Sequence, residues 1–252
     1  MKIDGHTHPN LLKIPAQADE FVSRAIELGF NSIIFTDHMP FTVTGDEHDR
    51  IPFGRVADYC EAVGEIRKKY RGKIDVRCGI EIDYRKSCES EIRDVLSCGK
   101  FDRILGSSHL NIKGFGIPFG KITRSDYAAE VIENYIGAAE SGFFDVMTHI
   151  DVYRWVFSEN DLYPLEDDNF SVKSIENPLR RLFSTMEKGG IALEYNAAPL
   201  FKKFDSDGAY PAKDILNIAS DYQLRYTYGS DAHAAHHVGF GYEEFERFTK
   251  NK

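Results

Sequence analysis

Short apolar runs alternate along nearly the whole chain with longer stretches whose apolar residues recur at helical spacing. This is the pattern of βαβ units around a parallel sheet or barrel. It predicts strands at 2–5, 32–36, 76–82, 103–107, 144–148, 191–195 and 225–229, and helices at 18–28, 55–70, 89–97, 125–140, 172–188 and 212–221. Ile33, Ile34 and Phe35 mark the second strand. Phe21, Val22, Ala25, Ile26 and Leu28 draw one stripe on the first helix, with Gly29 where a C-terminal cap belongs. Two irregular stretches, 39–52 and 151–170, follow strand ends, where barrel enzymes place substrate loops.

A chain of 252 residues matches one α/β barrel, so residues 1–252 are expected to form a single domain. Hydrophobic residues at 42% and charged residues at 28% suit a globular chain with a sizeable core. The net charge of −9 and the pI near 5.5 argue against nucleic acid as the main partner. Bound cations would still let an acidic protein take an anionic substrate. Cys60, Cys78, Cys88 and Cys98 include no Cys-x-x-Cys pair, and Met1-Lys2-Ile3-Asp4 does not open a secretory leader. Reduced thiols and a cytoplasmic location are therefore expected. No apolar run approaches the roughly 20 residues of a membrane span.

The histidines change the picture. Of nine in the chain, His6, His8, His38, His109, His149 and His233 fall at or just beyond the carboxyl end of a predicted strand, as do Glu81 and Asp231. In a parallel barrel those ends open onto one face, so residues far apart in sequence converge. One such histidine is most often structural, but a set that avoids every predicted helix points to a shared site. In His6-Thr7-His8 alternate residues of an extended segment point the same way, so both imidazoles can address one cation. Nitrogen and carboxylate ligands together suit zinc, manganese or iron. A carboxylate such as Glu81 can bridge two ions, and ions about 3.5–4 Å apart suit phosphate ester hydrolysis. Amide hydrolysis is the weaker reading, because no lysine stands at a strand end to bridge two ions.

Six motifs in order resemble the polymerase-and-histidinol-phosphatase (PHP) family. They are His6-Thr7-His8, Thr36-Asp37-His38, Gly79-Ile80-Glu81, Gly106-Ser107-Ser108-His109, Thr148-His149-Ile150-Asp151 and Ser230-Asp231-Ala232-His233. The resemblance implies a distorted (β/α)7 barrel with two or three divalent metal ions (Zn, Mn or Fe) at the carboxyl ends of its strands. It would assign His6, His8, Glu81 and Asp231 to a first ion and Glu81, His109 and His149 to a second, with His38 and His233 helping to hold a third. A further histidine expected in the loop after His-x-His is missing from residues 9–15, so a weak or absent third ion is expected, with Asn10, His236 or His237 as possible replacements. Glu27-Leu28-Gly29-Phe30 and Phe35-Thr36-Asp37-His38 resemble histidinol-phosphate phosphatases most, which makes a small phosphorylated metabolite, histidinol phosphate, the expected substrate.

The expected chemistry is in-line attack on phosphorus by a metal-bridging hydroxide. Asp231 would orient the water, and His233 or Asp37 would protonate the leaving oxygen, unless Asp37 instead orients His38. Arg154 is a candidate phosphate contact, with Tyr153, Trp155 and Phe157 beside it as a candidate organic pocket. Asn196 is a candidate substrate contact, against the plainer reading of a structural hydrogen bond. The glycine-rich stretch 114–121 lacks the hydroxyl residue of a phosphate loop and reads as a turn. The contrasting class is a metal-binding regulatory module without turnover.

Overall fold

The computed structural model describes residues 1–40, 50–52, 54–109, 122–159, 165–166, 168–202 and 208–250. The glycine-rich turn at 114–121 and most of the 39–52 stretch lie outside them. Strands and helices follow one another as β1 (Ile3–Thr7), α1 (Pro15–Glu27), β2 (Ser32–Phe35), α2 (Val56–Lys69), β3 (Asp75–Asp83), α3 (Glu89–Cys98), β4 (Arg103–Ser107), α4 (Arg124–Ser141), β5 (Val146–Met147), α5 (Tyr153–Ser158), α6 (Glu176–Gly189), β6 (Ala192–Asn196), α7 (Ala198–Lys202), α8 (Lys213–Ala219), β7 (Tyr226–Gly229) and α9 (Tyr242–Lys250).

The seven strands form one parallel sheet in sequence order, and each helix layer covers its outer face, giving the TIM-like α/β barrel that the periodicity predicts. The ring closes just past the ends of β1 and β7. There Asp231 N–H donates to His6 O at 2.9 Å and His8 N–H donates to Ala232 O at 2.8 Å. The pairing of β1 with β2 shifts register between Asp4 and Thr7, so the irregularity falls at the start of the His-x-His pair.

Local sequence explains most elements. Pro15 opens α1, where a missing N–H costs nothing, and Ala18, Phe21, Val22 and Ala25 bury one stripe. Thr123 caps α4 by accepting from Asp126 N–H at 3.0 Å, and Gly142, in the left-handed conformation, ends it. In β3, Val76, Cys78, Ile80 and Ile82 join the core beneath the helices, while the alternate residues Glu81 and Asp83 face the barrel interior.

Three expectations need correction. The strand at 144–148 shrinks to Val146–Met147, and the helix at 172–188 opens as a 3-10 turn over Val172–Ile175 before α6 begins. The supposedly irregular 151–170 stretch contains α5, too short for a helical period to show. The chain also ends in a helix, α9, in which Tyr242, Phe245 and Phe248 lie at i, i+3 and i+6 and pack on Phe30, Tyr195, Tyr226 and Tyr228.

Candidate metal centre

All seven strands send polar side chains from their carboxyl ends into one pocket. It contains all eight of the ligands expected from sequence. Donor atoms within each of four sets lie within 4.8 Å of one another: His6, His8 and Glu81; His6, His149 and Asp231; Glu81, His109 and His149; and His8, His38 and His233. Glu81 stands between them. Its Oε2 lies 2.9 Å from His38 Nδ1, 3.2 Å from His6 Nε2 and 3.3 Å from His8 Nε2, while Oε1 lies 3.0 Å from His149 Nε2. Metal–ligand bonds of about 2.0–2.1 Å put neighbouring ligand atoms about 3–3.5 Å apart, the spacing seen here.

Two imidazoles are backed by carboxylates. His6 Nδ1 lies 2.7 Å from Glu194 Oε1, so with a cation at Nε2 the Nδ1–H donates to Glu194. Glu194 Oε2 accepts from His149 N–H at 3.2 Å and from Asn196 Nδ2 at 2.9 Å. That same Nδ2 is 3.4 Å from Asp231 Oδ2. One carboxylate thus touches His6 and His149 and reaches Asp231 through Asn196. It fits because position 229 is glycine: a Cβ there would lie 2.1 Å from Glu194 Oε1. On the other side, His109 Nδ1 lies 2.7 Å from Asp83 Oδ1. Asp83 in turn accepts from His109 N–H, Ser107 Oγ and Arg50 Nη2, and Arg50 also donates to Met39 O.

Electrostatics divides the pocket. Burial alone would depress His6, but Glu194, Asp231 and Glu81 together lift its pKa well above the usual value. Burial would raise Glu81, yet His38, His6 and His149 hold it well below the carboxylate range. Asp231 and Asp83 are likewise held down against burial, by His6 and by His109 respectively. His8 goes the other way, pushed well below its usual value by burial and then by His38 and His233. Its ring lies against both of those imidazoles, with centroids 4.4 Å from each, and the two are themselves only 6.0 Å apart, so the three rings form one cluster. Only 2% of His8 is exposed, and neither ring nitrogen makes a hydrogen bond among the described residues. A buried polar group without a hydrogen bond is costly. A divalent cation answers that cost, and the imidazole and carboxylate donor set suits one.

The backbone is also specialised. His149 and Asp231 have positive φ values of 23° and 54°, a region that glycine enters freely and other residues rarely do, each costing on the order of 1–3 kcal/mol. Such strain persists only when held, here by the hydrogen bonds of their N–H groups to Glu194 and His6 O.

The remaining predicted site residues are placed unevenly. Asp231 faces the ions' position and His233 stands at the mouth, its side chain 41% exposed, the most accessible of the eight. Asp37 accepts from Asn10 N–H at 2.9 Å and Leu11 N–H at 2.8 Å, which favours anchoring the loop after His8 over proton transfer. Arg154 is 8% exposed, and its guanidinium pairs with Asp151, donates to Gly208 O and Ala209 O and lies over Tyr210. These contacts fasten the 208–210 segment, in place of the expected phosphate contact. Tyr153 and Phe157 pack on each other and on Phe170. Asn196 serves as a hydrogen-bonding link between Glu194 and Asp231. The third imidazole beside His38 and His233 is His8, whereas His237 stacks on Phe201.

Glu194, Asp83, Arg50 and Tyr135 were not among the expected site residues. Period-two alternation could have found the first two: Glu194 shares a strand face with Asn196, and Asp83 with Glu81. Arg50 and Tyr135, whose Oη lies 3.4 Å from His149 Nδ1 and donates to Thr148 O, carry no such signal.

Comparison with known proteins finds that the PHP domain profile matches residues 4–198 and a PHP-associated profile matches 214–252. A probable histidinol-phosphatase of Deinococcus radiodurans is 28% identical over 96% of this chain and 90% of its own length. The histidinol-phosphatase of Bacillus subtilis is 26% identical over 97% of this chain and 98% of its own. The crystal structure of a Lactococcus lactis histidinol phosphate phosphatase, complexed with Zn, L-histidinol and phosphate, superposes with a TM-score of 0.74 at 18% identity, covering 98% of this chain and 93% of that one.

Proposed function

This chain belongs to the PHP domain family, and from that premise we propose that it is a metal-dependent phosphatase hydrolysing L-histidinol phosphate to histidinol and inorganic phosphate. The observation that carries the reading is Glu81, whose two oxygens face different ligand sets, His149 on one side and His6 and His38 on the other. A carboxylate so placed would be able to serve two ions, one oxygen to each. The names of the full-length relatives support the choice of ester.

His6, His8, Glu81 and Asp231 would hold one divalent ion, of zinc, manganese or iron, and Glu81, His109 and His149 would hold a second. Bound there, such ions lower the pKa of water and offset charge on phosphoryl oxygens. The chain's own residues do the rest. Glu194 and Asp83 fix the orientation of His6 and His109. Asp231 orients the attacking water, and His233, at the mouth, hands a proton to the departing alkoxide oxygen. The buried wall of Asp4, His6, Glu81 and Glu194 excludes bulk water. A third ion at His8, His38 and His233 is held weakly, because that set has no carboxylate and borrows His8 from the first.

The test is turnover of histidinol phosphate, a nucleotide monophosphate and an aryl phosphate by protein loaded with each metal. Histidinol phosphate should give the highest kcat/KM, and Glu81→Ala should abolish it. Metal binding without turnover of any ester would overturn the proposal in favour of a non-catalytic module. Three tightly held equivalents in metal analysis would overturn the assignment of two.

A further inference from the structure

A second cluster of reactive side chains lies on the far side of β3 from the metal centre. Cys78, on the helix-facing side of that strand, donates its S–H to Cys60 Sγ on α2 at 3.6 Å. Cys78 is buried, but Cys60 is half-buried and opens, with Cys98, Arg67 and Lys100, onto a cavity of about 460 Å³. Room for the Cys60 sulfur depends on Gly99, where a Cβ would lie 2.6 Å from it.

We propose that Cys60 and Cys78 are a modification site: a thiol pair that hydrogen peroxide converts to an intramolecular disulfide linking α2 to β3. The sulfurs need to close from 3.6 Å to about 2.05 Å, a shift that side-chain rotation and a small helix movement can supply. The two thiols are unequal. The S–H donated by Cys78 draws the Cys60 thiol below its usual range against the effect of burial, and the backbone of Lys100 adds to this. Cys78 is pushed up by the same hydrogen bond and by burial. Cys60, accessible and closer to thiolate, is therefore the attacking sulfur.

The Cys60 thiolate attacks one peroxide oxygen: an S–O bond forms, the O–O bond breaks, and the departing hydroxide takes a proton to become water. Cys78 sulfur then attacks the Cys60 sulfenic acid. An S–S bond forms, the S–O bond breaks, and hydroxide leaves as water with the Cys78 proton. Two thiols are oxidised and one peroxide is reduced to two waters.

The experiment uses the full chain with zinc as its only metal, so that no iron decomposes the peroxide. After peroxide treatment, alkylation in denaturant and peptide mass spectrometry, free thiols should fall from the four of the reduced chain to those of Cys88 and Cys98. The cross-linked peptide should pair Cys60 with Cys78, and dithiothreitol should restore all four. Cys60→Ser should keep its remaining thiols under the same dose, and in Cys78→Ser dimedone should trap Cys60 as a sulfenic acid. No loss of thiols, a cross-link through Cys98 or Cys88, or unchanged loss of Cys78 in Cys60→Ser would each overturn the proposal. The wild-type peptide map decides the matter even if a variant fails to fold.

Discussion

The two imidazoles of the His-x-His pair live in opposite surroundings. His6 sits among carboxylates, anchored to Glu194 at 2.7 Å, with its pKa raised. His8 sits against two other imidazoles, its Nε2 facing Glu81 and Asp231 at 3.3 and 3.4 Å, and its pKa is lowered. The difference teaches which half of the pocket is built in advance. Around His6 opposite charges hold the geometry whether or not an ion is present. Around His8 three imidazoles crowd together and share the carboxylates of Glu81 and Asp231, with no carboxylate of their own behind them. The Glu194 half is therefore preformed, and the His8, His38 and His233 half takes its shape from what it binds.

The harshest way to break this contrast is to remove the group common to both halves. Glu81→Gln should reduce turnover to background and release the bound ions, seen as lost equivalents in metal analysis. If both ions stay bound, Glu81 does not bridge. Next comes Glu194→Gln, which keeps size but cannot accept from His6 Nδ1–H at one end and from His149 N–H and Asn196 at the other. Metal affinity should fall about 10–100-fold, the usual cost of losing such a backing carboxylate, measured by competition with a chelator. Unchanged affinity would mean the Glu194 half is not what orders the centre. His38→Asn removes the imidazole 2.9 Å from Glu81 Oε2 as well as one member of the His8, His38 and His233 set, and should lower kcat/KM by less than about tenfold while the two firm ions stay bound.

Proton release sharpens the comparison further. In the metal-free protein His6 holds a proton near neutrality, so metal binding should expel it, and calorimetric heats at pH 7 should depend on the buffer's ionisation enthalpy. Glu194→Gln should shrink that dependence. The stability of the metal-free chain follows from the same shifts. His6, raised, contributes stability below its unfolded pKa of about 6.5 and loses it as pH rises through the higher folded value. Asp4, buried and pushed up to about 6, is unfavourable when charged, and that cost is relieved as pH falls through 6. Glu81, Asp83 and Asp231, held low, contribute above the carboxylate range and lose their contribution only in strong acid. His8 and His233, lowered, oppose His6 and cost stability as pH falls below about 6.5, so the clean readout is Glu194→Gln, which should lower the melting temperature of the metal-free chain more at pH 6 than at pH 8. The smallest expected effect is that of Tyr135→Phe, which removes the hydroxyl beside His149 Nδ1 and should cost about 1 kcal/mol in thermal unfolding with little change in turnover.

Barrel and ligands were legible in the sequence because both follow from short-range pattern. Apolar periodicity gives strands and helices, and a parallel barrel then brings every strand end to one rim, so His6 and His233 meet without any pairwise signal between them. What stayed hidden depends on contacts distant in sequence. Glu194 lies 188 positions from His6, and although alternation puts it on the same strand face as Asn196, only the closed barrel brings it to that imidazole. Arg154 shows the same limit: its place beside an active-face motif is legible, but its contacts with Asp151 and the 208–209 carbonyls are not. Residues 9–15 hold no histidine, and that His8 groups with His38 and His233 is visible only once the three strand ends are brought together.

The glycine at position 229 binds nothing, yet its missing side chain leaves the space that the Glu194 carboxylate occupies. Alanine there would evict the anchor of His6 while preserving all eight ligands, so an inventory of metal-binding residues alone would count such a homologue as competent. Judging which relatives are working enzymes means checking for that empty volume as carefully as for the histidines.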